Sequence, residues 1–411
     1  MTALRTLRSV LRFRRFEVDP VARRLRGAAS VDDLRAVARR RMPRGVFDYI
    51  DGGAEDEVSL GRNVAAFHRA EFRPRVLRDV GVVDPSTSLL GRPLPLPLVL
   101  APTGFTRIAH PDGELAVARS AARAGLPYTL STMSTRSIEE VAAVSAGPKW
   151  FQVYVWRDRG LLRAMLDRAA AVGYEAIMLT VDTAVLGRRE RDVRRGFTLP
   201  PKIGLGTLID GAVHPGWTWD FVRAEPITFA NMTGSGAGDG TEAVNLSTYI
   251  NSQFDPALSW RDIEWFRDAW PGPVILKGIQ TVADARLAAD AGVAAVALSN
   301  HGGRQLDTAP VPLELVGPVA DAVGGRVQII CDGGVRRGSD VVKAVALGAN
   351  ACMIGRAYLY GLGAGGERGV DHVLGLIDEG VRRTMALVGC RTVADLGPEL
   401  IAWRGGGVES V

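Results

Sequence analysis

Residues able to do acid–base and anion chemistry gather in a few short segments of this 411-residue chain. His301 stands in Ser299-Asn-His-Gly-Gly-Arg304, where two glycines leave room for a substrate beside the imidazole. A histidine with a carboxylate in reach is the usual general base. Asp182, which ends the run Ala176–Val181, is the candidate carboxylate. Arg304 and Arg189 together suit a bound carboxylate, because guanidinium forks hold it by paired hydrogen bonds. Asp332-Gly-Gly-Val-Arg336 and Gly355-Arg356 combine close-approaching backbone N–H groups with arginines, a phosphate-binding composition. Lys277 is one of only four lysines in an arginine-rich chain. A fixed cation there suits a developing negative charge, and equally a Schiff base.

These segments need a scaffold that brings them to one place. Eight short apolar runs recur: Leu96–Pro102, Pro127–Ser131, Trp150–Val155, Ala176–Val181, Val274–Gly278, Ala295–Ser299, Val327–Cys331 and Ala351–Ile354. They are too short for core helices and read as strands buried on both faces. Helix-like segments lie between most of them: Asp112–Ala124, Ser137–Ala143, Leu161–Ala171, Val282–Ala291 and Ser339–Leu347. Gly125, Gly173, Gly292 and Gly348 follow, where left-handed caps are expected. The alternation predicts a (β/α)₈ barrel, with a doubly wound sheet as the rival. In a barrel the strand ends would converge, adding Thr103, Gly104, Ser131, Gln152, Tyr154 and Thr180 to the candidate site. His68, His110, His214 and His372 fall away from those ends and read as structural.

One interval breaks the rhythm, between Asp182 and Val274. It carries the aromatic run His214-Pro-Gly-Trp-Thr-Trp-Asp220 and the glycine-rich stretch Thr233–Thr241. Loops this long at a barrel mouth are usually lids or binding loops. The expected layout is a basic N-terminal tail over 1–30 and one barrel domain over 31–411. A helical segment precedes the barrel, and a lid insertion of about 190–255 follows the fourth strand.

Composition limits the partners. The net charge of +5 lies largely in the first residues, MTALRTLRSVLRFRRF, which leaves no basic, aromatic-interleaved patch for nucleic acid. Leu4, Leu7 and Leu11 share a helical face among arginines, so peripheral contact with an anionic membrane is one reading and a solvated tail the other. No run approaches the roughly 20 apolar residues of a membrane span. Cys331, Cys352 and Cys390 are too scattered for a disulfide framework or a zinc site, so no metal is expected and a reducing cytoplasm is the natural setting.

The segments FDYIDGGAEDE (47–57), APTG (101–104), FQVYV (151–155), LTVDT (179–183), LKG (276–278), SNHGGRQLD (299–307), DGGVRRG (332–338) and IGRA (354–357) closely resemble the FMN-dependent L-2-hydroxy acid dehydrogenases and oxidases. The resemblance runs from about residue 30 to 395. It implies an FMN cofactor, with Tyr49, Arg189 and Arg304 on the substrate carboxylate and Tyr154 on its hydroxyl. His301, paired with Asp182, would take a proton, with carbanion and hydride routes both open. Lys277 would face the flavin N1–O2 edge. Thr103, Gly104, Ser131, Gln152 and Thr180 would bind the ring and ribityl chain, and Asp332, Gly334, Arg336, Gly355 and Arg356 the ribityl chain and phosphate.

Met133 stands where glycolate oxidases have tryptophan, which disfavours glycolate; Gly104 stands where oxidases tend to have alanine. The resemblance therefore implies an L-lactate dehydrogenase passing electrons to a quinone or cytochrome, and a homo-tetramer. An oxygen-using oxidase and a dehydrogenase for a larger acid such as mandelate are the alternatives. A nucleotide-binding barrel like inosine monophosphate dehydrogenase would need a cysteine in the loop after strand six, which here reads Ser-Asn-His-Gly-Gly-Arg.

Overall fold

The computed structural model describes residues 17–195, 204–232 and 254–404. All eight apolar runs form strands: β1 (Leu98–Leu100), β2 (Tyr128–Ser131), β3 (Lys149–Tyr154), β4 (Ala176–Thr180), β5 (Val274–Ile279), β6 (Ala295–Leu298), β7 (Gln328–Asp332) and β8 (Ala351–Ile354). Each pairs in parallel with its neighbours, and the order β7-β8-β1-β2-β3-β4-β5-β6 closes on itself. The sheet is the expected (β/α)₈ barrel, not an open one.

The intervening helices start where side chains can cap them. Ser137 accepts from the Glu140 N–H while Glu140 returns the bond, Asp158 accepts from Leu161 N–H, and Thr281 from Asp284 N–H. They stop at Gly125, Gly173, Gly292 and Gly348, all with positive φ. Inward side chains such as Val99, Trp150, Met178, Ile275, Ile330 and Met353 fill the barrel, together with Leu89 and Leu94 of the hairpin Thr87–Leu94. Leu90 N–H of that hairpin donates to Gln328 at the start of β7. The hairpin thus plugs the end where the strands begin and leaves the other end open. Outward side chains join the helices in the larger core.

Before the barrel come the helices Pro20–Leu25, Val31–Arg41, Arg44–Asp51 and Val58–Arg69. The tail expected over 1–30 therefore gives way by Pro20 to a helix capped by Asp19, with Leu25 buried; residues 1–16 lie outside the described ones. After β4 the insertion contributes Glu190–Arg195, Leu205–Ala212 and Pro215–Arg223. It is tied down by Trp217 Nε1–H to Ile108 O (2.9 Å), Arg44 N–H to Asp210 (2.7 Å) and an Arg41–Asp220 ion pair. The glycine-rich stretch Thr233–Thr241 lies outside the described residues.

Candidate active site

The C-terminal strand ends open into a cavity enclosing about 1410 Å³ of empty space, its mouth included. The barrel lines it with Thr103, Gly104, Met133, Tyr154, Lys277, His301, Arg304, Asp332, Gly334, Arg336, Gly355 and Arg356. Tyr49 reaches it from the helix Arg44–Asp51, and Arg189 from the segment after β4.

Asp182 Oδ1 lies 3.0 Å from His301 Nδ1. Burial would raise the Asp182 pKa, but His301 and Lys277 outweigh it and hold the carboxyl below its ordinary value. An ionised carboxylate only accepts, so His301 Nδ1 carries the proton and Nε2 keeps its lone pair. Burial lowers the His301 pKa; Asp182 opposes this, while Lys277 and Arg304 add to it. The pair therefore rests as carboxylate and neutral imidazole. Its approach depends on Gly278, at φ +106° on an irregularity of β5, where a Cβ would fall 2.7 Å from the Asp182 Cβ and Cγ.

A second network binds β5, β6 and β7 together. Lys277 Nζ donates to Ser299 Oγ (3.1 Å), Ser299 Oγ–H to Asp332 (2.6 Å), and His301 N–H to Ser299 Oγ (3.0 Å). Lys277 is buried, 3.7 Å from Asp332. On the far side of His301, the Arg304 and Arg189 guanidinium carbons lie 5.1 and 5.6 Å from the Tyr49 ring centre. Arg189 pairs with Asp192 (2.7 Å), whereas Arg304 donates to the carbonyls of Tyr49 (2.7 Å) and Gly52 (3.2 Å). Burial, reinforced by the charge of Arg189, lowers the Arg304 pKa to about 9. Two half-buried cations around one ring, with one carboxylate paired to Arg189, favour an incoming anion.

Arg356 donates to Ile50 O (3.0 Å), Gly302 O (2.8 Å) and Gly52 O (2.7 Å), and Arg336 to Val335 O (2.9 Å). The helix Arg356–Gly365 begins at the cavity with no side-chain cap. Its first-turn N–H groups and these arginines are the kind of donors that suit an anion at the β7 and β8 ends.

Residues 38–403 match the family model described as FMN-dependent dehydrogenase. The chain belongs to that family. It is 45% identical over 377 residues to an L-lactate dehydrogenase of Caulobacter vibrioides, covering 92% of this chain and 98% of the relative. It is 43% identical over 364 residues to an L-lactate oxidase of Nostoc, covering 88% and 94%. The structure of the monotopic membrane protein (S)-mandelate dehydrogenase superposes with a TM-score of 0.88 at 39% identity, covering 92% of this chain and 99% of the other. The protein is accordingly an FMN-dependent oxidoreductase.

The cavity fits that cofactor by its donors: a buried lysine at the centre, and arginines with an uncapped helix start where a phosphate would lie. Three expected cofactor residues lie at the strand ends behind that lining. Ser131, Gln152 and Thr180 do not line the cavity but are buried and joined in a chain, Ser131 Oγ–H to Gln152 Oε1 (2.9 Å) and Gln152 Nε2–H to Thr180 Oγ1 (2.9 Å). His68, His110, His214 and His372 are not among the lining residues. No group of metal-ligating side chains occurs among the described residues. Sequence reasoning passed over Phe105, Leu186, Phe229 and Phe254, which wall the cavity. Single aromatic residues in loops carry no periodic signal; only the position of Phe105 straight after the APTG segment pointed to it.

Proposed function

We propose that the protein oxidises a small L-2-hydroxy acid, L-lactate first, to the 2-oxo acid. The observation that carries this reading is His301, set 3.0 Å from Asp182, in the same cavity as the Arg304–Arg189 pair. Tyr49, Arg189 and Arg304 bind the substrate carboxylate. Burial raises the Tyr154 pKa, so its phenol stays protonated and serves as a donor to the substrate hydroxyl. His301 Nε2 accepts a proton from the substrate, and Asp182 steadies the imidazolium that forms. FMN, when bound, supplies the acceptor for the two electrons that leave C2. Lys277 faces its N1–O2 edge. Arg336, Arg356, Asp332, Gly334 and Gly355 would hold its phosphate and ribityl chain and Thr103 and Gly104 its ring, with the buried Ser131–Gln152–Thr180 chain supporting the ring and ribityl site from behind the lining.

The electrons then pass to a quinone or cytochrome. Gly104 supports this over oxygen: a Cβ there would meet the Met133 Cβ at 2.9 Å, so the alanine typical of oxidases does not fit without moving Met133. Assembly as a homo-tetramer and peripheral contact with the inner face of the cell membrane complete the reading; the monotopic (S)-mandelate dehydrogenase supports the membrane contact. The purified protein should be yellow, bleach anaerobically with L-lactate and re-oxidise slowly in air. Bleaching by no 2-hydroxy acid would end the assignment, and rapid peroxide formation would make the protein an oxidase.

A further inference from the structure

Seven described residues other than glycine have positive φ, and only two of them line the cavity: His301 and Phe105. For a bulky residue a left-handed conformation is a genuine outlier, retained where the surroundings over-determine it. Phe105, at φ +60°, is held by its N–H to Met133 O (3.0 Å). The same turn is fixed by Thr106 Oγ1–H to Thr103 O (3.1 Å) and by Thr103 Oγ1 against Tyr358 OH (2.7 Å). The strained backbone places the Phe105 ring edge-on to Tyr49, with centroids 6.3 Å apart. On its other side stands Phe229, 5.8 Å away and 4% exposed, from the insertion after β4.

The Tyr49 ring is the face on which Arg304 and Arg189 rest. A 2-hydroxy acid held at its carboxylate by those arginines and at its hydroxyl by His301 and Tyr154 has, besides the hydrogen lost in oxidation, one substituent left at C2. Next to Tyr49 the cavity has an apolar wall that includes Phe105 and Phe229, with Met133 and Leu186 also in the lining. We propose that Phe105, backed by Phe229, contacts the C2 side chain and selects 2-hydroxy acids with an apolar side chain over glycolate, which has none. The inference rests on the 2-hydroxy acid reading above. It assigns that selection to a residue held in a strained conformation, and its support to the insertion. Burying one methyl or methylene against such a wall favours the longer acid by about fourfold.

Two measurements on the holoenzyme test it: anaerobic flavin reduction by glycolate, L-lactate, L-2-hydroxybutyrate and L-2-hydroxyisocaproate, and calorimetric binding of the matching 2-oxo acids. In the wild type the second-order reduction constant and the 2-oxo acid affinity should both rise about fourfold per carbon from glycolate to L-2-hydroxybutyrate. Phe105→Ala should compress both series to within about twofold, and Phe105→Leu should restore most of the slope. Phe105→Gly, which relieves the backbone, should behave like Phe105→Ala, separating the ring from the turn. Phe229→Ala should flatten the series in the same direction, and it tests the proposal with Phe105→Leu if the smaller Phe105 variants do not fold. An unchanged slope in Phe105→Ala, or in Phe229→Ala should that variant have to stand in, overturns the proposal, as does a flat series in the wild type. Absence of bleaching by every acid is a different result and removes the 2-hydroxy acid reading itself.

Discussion

Because Asp182 accepts the Nδ1–H hydrogen bond, chemistry at His301 is confined to Nε2. His301→Gln should retain yellow flavin yet lose about 10²–10⁴-fold in the rate of reduction, the range for a general base; stopped-flow bleaching that matches the wild type would remove His301 from the role. The pH profile follows from the same contacts. Burial, with help from Lys277 and Arg304, places the His301 pKa below 6.5, so the imidazole remains neutral at pH 7. Protonation on acidification destroys the base, so kcat/KM should fall only below pH 6.5. Asp182→Asn removes the neighbouring charge and hydrogen bond that favour the charged ring, so the acid limb should move lower still while the rate falls; a limb moving upward would contradict the pairing. Arg304 makes a different contribution. Arg304→Lys offers a point charge in place of a fork. It should raise KM for the 2-hydroxy acid more than it lowers kcat, measured by steady-state kinetics with an artificial acceptor.

At the scale of elements, the segment before the barrel does more to build the site than its place in the chain suggests. The carbonyls of Tyr49, Ile50 and Gly52, at the end of the helix Arg44–Asp51, orient both Arg304 and Arg356. That helix end is pinned by Asp51, which is buried and accepts from Arg35 (2.6 and 2.8 Å), Arg191 (3.0 Å) and Tyr360 (2.7 Å). Burial pushes the Asp51 pKa up, but these donors hold it down at about 2. Asp51→Ala takes the acceptor from Arg35 and Tyr360 and one carboxylate from Arg191, which keeps Glu57, at about 1.5–3 kcal/mol for lost bonds to a charged group. The melting temperature should drop and KM should rise together; a lower melting temperature with unaltered KM would show that the helix does not position the arginines. Strands and helix ends were legible because they follow periodicity and caps: Ala351–Ile354 coincides with its apolar run, and four glycines mark helix ends. His301, Asp182, Lys277 and the arginines were legible because they sit at strand ends. The carbonyl anchors were not, since backbone groups look alike in any sequence. Nor was the Ser131–Gln152–Thr180 chain, whose side chains face each other instead of the cavity for reasons of register between β2, β3 and β4.

At the scale of the whole molecule, the insertion after β4 presents, among the described residues, an apolar surface that their packing leaves exposed. On the consecutive helices Leu205–Ala212 and Pro215–Arg223 and the residue joining them, Leu208, Ile209, Val213, Trp219 and Val222 are each more than half exposed. Scattered exposed aliphatics are ordinary, but five large ones within fifteen residues form a patch of the kind that meets a partner or a lipid surface. Arg223 lies 4.0 Å over the Trp219 ring, and Arg39, Arg40 and Arg44 are exposed on the neighbouring helices to which Arg41–Asp220 and Arg44–Asp210 tie this insertion. Apolar side chains among arginines suit insertion at an anionic bilayer interface. No helix among the described residues is long and apolar enough to cross a membrane. Val213→Asp with Val222→Asp should therefore abolish cosedimentation with vesicles containing phosphatidylglycerol, while anaerobic bleaching by L-lactate persists. Removing residues 1–16 tests the arginine-rich tail separately, and raised salt should weaken whichever contact is chiefly electrostatic. Loss of binding on removing the tail, with none from the paired aspartates, would place the membrane contact at the N-terminus and not on these helices.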